Sequence, residues 1–148
     1  MAIKESSEQL AAVKETFEKD IAVLTHLRNA DAALADAMQP DTAIQKAYEE
    51  VKAAREICPE FLVKQGAIKM EQELESARRS PMSADFGRLR SLLRDEALAP
   101  ASRVVVRDAS HLEAETLAWL RVQELISAHV RALSELASAG LQAAEGTK

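Results

Sequence analysis

Between Val105 and Ala137 the apolar positions recur in alternating steps of four and three: Val105, Ala109, Leu112, Thr116, Trp119, Gln123, Ile126, Val130, Leu133 and Ala137. A strand would need a period of two, so this spacing admits only a long helix packed on other helices. A second row, Val122, Leu125, His129 and Leu136, widens the face. Only Arg121, Glu124, Arg131 and Glu135 form a thin polar line for water. The segment from Ala101 to Ala139 therefore predicts a helix that needs a partner, and the rest of the chain is read around it.

The remaining segments repeat the helical period. A first helix opens near Ser6, with Gln9 placed to complete a capping box. Its seam runs Leu10, Val13, Phe17, Ile21, Leu24, Leu27, Leu34 and Met38, interrupted by Asp31, and it ends at Gln39-Pro40-Asp41. A second helix opens at Thr42 with the seam Ile44, Ala47, Val51, Ala54 and Cys58. After Pro59 the row resumes as Val63, Ala67, Met70, Leu74 and Ala77, displaced by about two residues, roughly 200° around a helix. One straight helix cannot aim both rows at one partner. A kink or short break at Pro59 is expected, with Phe61 and Leu62 filling the corner. Ser80-Pro81 then starts a short helix over about 83–98, with Met82, Phe86, Leu89 and Leu93 inward. Ser110 with Glu113 is a second possible start for the last helix, but the unbroken seam favours one helix from about 101 to a stop at Gly140. Leu141–Lys148 is expected as a disordered tail.

Composition agrees. Ala is roughly one residue in five, aromatics are 3%, and hydrophobic and charged residues make up 47% and 29% of the 148 positions. Strong helix formers dominate and β-branched residues are scarce. The expected fold is all-α: one domain over 1–148, an elongated antiparallel bundle of three long helices and one short one with coiled-coil-like packing. No window approaches a membrane span, and the start of the chain shows no apolar leader, so a cytoplasmic protein is expected. The single Cys58 fits a reducing compartment and reads as a small buried apolar side chain.

Catalytic patterns are absent. The glycines (66, 87, 140, 146) form no phosphate-cradling loop, and no serine sits in a glycine-flanked elbow. A di-iron bundle needs paired Glu-x-x-His motifs, whereas only Asp108-x-x-His111 comes near among His26, His111 and His129. A ligand- or cofactor-binding bundle using Asp108, His111 and His129 is the second reading, with no cofactor expected under the first. Met38, Met70 and Met82 are read as core filler over haem ligands. His26 is expected at the surface and His129 at the edge of the apolar face.

One asymmetry stands out. The window Arg78–Arg107 holds seven arginines (78, 79, 88, 90, 94, 103, 107), no lysine, and only Asp85, Asp95 and Glu96, in a chain of net charge −5. Arginine grips carboxylates and phosphates bidentately, so the window reads as a patch for an acidic partner or an anion. The alternative is pairing with the chain's own Glu71, Glu73 and Glu75. The overall negative charge and the lack of interleaved aromatics argue against nucleic acid. The expected function is a non-enzymatic protein–protein interaction module, an adaptor or small accessory protein that forms a homodimer. Leu117, Trp119, Leu120, Leu125 and Leu136 are its expected interface.

Overall fold

The computed structural model describes residues 2–36 and 38–146, with side chains described over 5–36 and 38–140. The fold is an all-α helical bundle without a strand among the described residues. In chain order it comprises α1 (Ala2–Leu34), α2 (Pro40–Ile57), α3 (Phe61–Arg79), a 3₁₀ turn (Pro81–Ser83), α4 (Phe86–Leu93), a π-turn (Arg94–Leu98) and α5 (Ala99–Gly146). The chain forms two compact units, one spanning Lys14–Ser110 and the other combining Met1–Val13 with His111–Lys148.

The 14–110 unit holds the core. Val23, Leu24, Leu27 and Leu34 of α1 join Ile44, Ala47 and Val51 of α2, Val63, Met70 and Leu74 of α3, Leu89 and Leu93 of α4, and Ala97 and Ala101 beyond it. Of the α1 seam, Leu10, Val13 and Phe17 are half-buried outside this cluster and Ile21 is exposed. Met38 is 91% exposed because α1 ends at Leu34 and Met38 lies in the connection to α2. Pro59 does break the helix: α2 stops at Ile57, and Cys58 to Glu60 carry the turn before α3. Phe61 and Leu62 do not fill that corner. They are 70% and 73% exposed, and Cys58 and Val63 take the inward places. Met82 is likewise exposed in the 3₁₀ turn, and α4 opens only at Phe86, where Asp85 Oδ1 accepts from the Arg88 backbone N–H at 3.0 Å.

Pro100 neither ends nor starts a rod. It has no N–H for the Glu96 carbonyl and its ring would crowd that oxygen. The backbone widens just before it, so that the Ala99 N–H reaches Arg94 O, five residues back. The vacated Glu96 carbonyl lies against Gly66 of α3: a Cβ built at Gly66 would stand 1.8 Å from that oxygen. Helix α5 continues through Ser110, whose Oγ donates to Val106 O at 3.2 Å in mid-helix. It also continues past Gly140, which therefore is not a stop. The backbone of 141–146 is helical, and Thr147 and Lys148 lie outside the described residues.

In the other unit, Leu10 and Val13 of α1 and Leu112, Thr116, Trp119 and Val122 of α5 are half-buried. From Gln123 to Gly140 every residue is exposed.

Candidate functional site

The interface expected on α5 lies in that last stretch and just before it. Leu117, Leu120, Leu125 and Leu136 are exposed, Leu125 at 72%, and Trp119 is half-buried. Ile126, Val130 and Leu133, also exposed, share one side of the helix with Leu125 and Leu136, whereas Leu117 and Leu120 fall on the opposite side. Seven large aliphatic side chains over some twenty residues far exceed the scattered single exposures normal for a surface. Arg121 and Arg131 balance Glu124 and Glu135, so the stretch carries no net charge. His129 is exposed, beyond the edge position its spacing predicts.

The arginine window is mostly committed within the chain. Arg90 forms a two-pronged pair with Asp31, Nε to Oδ1 at 3.1 Å and Nη2 to Oδ2 at 3.3 Å, and Arg94 adds a contact to Oδ1 at 3.7 Å. Asp31, the interruption in the α1 seam, is thus the carboxylate that receives α4. Arg78 donates to Glu75 at 2.7 Å and lies over the Tyr48 ring, 4.5 Å from its centroid. Arg88 reaches Glu73 at 3.2 Å, and Arg107 reaches Glu60 at 2.7 Å. Glu71, by contrast, pairs with Arg55, outside the window. Arg79 and Arg103 alone of the seven make no ion pair among the described residues. Two free guanidinium groups are too few for tight polyanion binding, which scales with the number of phosphates neutralised. On a heparin column we expect elution at or below about 0.15 M salt. Retention falling steeply with added salt would instead mark the window as a phosphate-binding surface.

A third feature joins Asp108 to a residue that motif and spacing did not single out, Asp20. Asp20 of α1 and Asp108 of α5 are buried, 6% and 8% exposed, the only charged residues so enclosed among those described. Arg107 donates to both oxygens of Asp108, at 3.0 and 3.4 Å, while its Nη1 serves Glu60. Those two carboxylates raise the Arg107 guanidinium even above its ordinary value. Asp20 lies against Asp108 and is pushed up to about 7, first by burial, then by the hydrogen bond and charge of Asp108, with Arg107 pulling the other way. Nearby Cys58 is buried, its thiol raised first by burial, as an unreactive apolar side chain would be. The signal for the pair was present: positions 20 and 108 stand three or four residues from Phe17 and Leu24, and from Val105 and Leu112. A carboxylate in such a register lies on the inward face.

Asp108 is therefore engaged by Arg107, His111 stands 3.6 Å from Glu115, and His129 is exposed. Among the described residues no three His, Cys, Asp or Glu side chains converge as a metal site. His26 is not the free surface group its spacing predicts: it is half-buried, with Nδ1 2.6 Å from Glu50 Oε2. Met70 is core, while Met38 and Met82 are exposed. An open groove of about 550 Å³ runs along α2 and α3, edged by Tyr48, Arg55, Glu71 and Arg79. No helix among the described residues is long and apolar enough to cross a membrane. Comparison of the chain with protein-family models, curated proteins and solved structures returns no match.

Proposed function

We propose that the protein is a non-enzymatic interaction module, an adaptor or accessory protein of the cytoplasm, which binds first a second copy of itself through the distal half of α5. The supporting observation is the run from Gln123 to Gly140, helical and wholly exposed yet carrying Leu125, Ile126, Val130, Leu133 and Leu136. A lone helix of this length is marginal in water, and most helical stability comes from packing an apolar face. These five side chains lie within about 140° of the helix circumference, a stripe wide enough to face one partner. Zero net charge along the stretch leaves two copies free of mutual repulsion. Arg79 and Arg103 are the groups available to an acidic second partner.

Light scattering with in-line mass measurement tests this reading. A mass near twice 16.2 kDa is expected in the micromolar range. A monomer up to about 100 μM would remove self-association and leave the face to a different protein.

A further inference from the structure

Within the 14–110 unit, α1, the α2–α3 turn and α5 meet at a small cavity edged by Asp20, Cys58, Glu60 and Val104. One oxygen of Asp20, Oδ2, is buried there without a hydrogen-bond partner. The guanidinium that acts on Asp20, Arg107, is already divided between Asp108 and Glu60. An ionised Asp20 would be a buried anion next to a second buried anion, with no cation of its own. Such a group takes up a proton instead, because desolvation and like charge both disfavour its ionised form. Once protonated, Asp20 gains an O–H donor, and the neighbouring Asp108 carboxylate can accept it. One proton then satisfies both side chains.

We propose that Asp20 and Asp108 form a proton-operated clamp, in which a single proton held between the two carboxyl groups fastens α1 to α5 and its loss loosens that junction. The groups facing Asp20 from each packed element are Glu60 and the Cys58 thiol at the turn and Arg107 and Asp108 on α5, with Lys64 of α3 acting on Cys58. Glu60 and Asp108 oppose ionisation and Arg107 favours it, so release falls near pH 7. The sign is fixed by linkage. The folded state holds this proton above the ordinary carboxyl range, so the stabilisation is complete below about pH 4 and lost as pH rises through about 7. The clamp belongs to the 14–110 unit and does not depend on self-association through α5.

Carboxyl carbon-13 NMR of the full chain, with amide hydrogen exchange, tests the clamp. The Asp20–Asp108 pair is expected to show one apparent titration near pH 7. Between pH 6 and 8, after correction for intrinsic rates, amides around residues 17–24 and 104–109 should open at least about threefold more often. Asp20→Asn supplies a permanent N–H donor in the same shape, and should hold opening at its pH 6 level throughout. If both carboxyls titrate below about pH 5, the clamp is overturned. It is equally overturned if opening in Asp20→Asn rises with pH as in the unaltered protein. Should the variant not fold, the titration of the unaltered chain decides the matter alone.

Discussion

Replacing Leu125 and Leu133 together by glutamate is expected to abolish the proposed self-association while leaving the 14–110 unit folded. Both side chains are exposed within the subunit, and neither touches the core cluster, so the core has nothing to lose. In an interface each leucine contributes about 2 kcal/mol. Removing two, and asking two carboxylates to enter an apolar contact, weakens association by at least about 4 kcal/mol, or about a thousandfold. Sedimentation velocity across concentrations reads the change, and near-ultraviolet and helical circular dichroism report on the core. Part of the helical signal should also fall, because the distal stretch of α5 loses the packing that sustains it. Association at unchanged affinity would show that this face is not what joins the copies.

Gly66→Ala is expected to destabilise the protein strongly although it adds a single methyl group. In an exposed helix the substitution would help, since Ala is favoured over Gly by about 1 kcal/mol. Here the new Cβ would lie 1.8 Å from Glu96 O and 2.7 Å from its carbonyl carbon. Both are backbone atoms of the π-turn, so no side chain can swing aside. Relief requires α3 to withdraw from the turn, opening contacts of Met70 and Leu93 in the shared core. Overpacking of this kind costs about 3 kcal/mol or more, outweighing the propensity gain. Against a typical total of about 5–15 kcal/mol, the midpoint of urea unfolding should drop sharply. An equal or higher midpoint would mean that the helices are not so closely set.

These two sites differ in how far they could be read in advance. The period in α5 is explicit: steps of three and four locate its apolar face without any tertiary information, and the structure leaves that face uncovered beyond Val122. The inward rows of α2 and α3 are explicit for the same reason, and the two-residue displacement across Pro59 marks the break. Gly66 carried no such signal. A glycine in a helical row reads as a weak spot until the opposing backbone is known, and that backbone comes from Pro100, more than thirty residues away. Asp31 read as a fault in the α1 seam, and its reason became visible only when Arg90 and Arg94 arrived from α4. Asp20 was legible by register but is a charged residue among solvated ones, and periodicity alone does not weigh a single carboxylate against its neighbours. Met38 and Phe61 went wrong where chain direction changes, since helical spacing has no meaning across a turn.

The π-turn at 94–98 has one more effect, on azimuth. Leu89, Leu93, Ala97 and Ala101 succeed each other by four, all buried. In a regular α-helix each such step overshoots a full turn by about 40°, and three steps would carry the row well around the rod. A wider turn in the middle winds less per residue and takes back part of that drift. It acts as a phase corrector, bringing the face of α5 into line with the face of α4. Deleting one residue there would swing α5 by about 100°, sending Asp108 away from Asp20 although no atom of either had been altered.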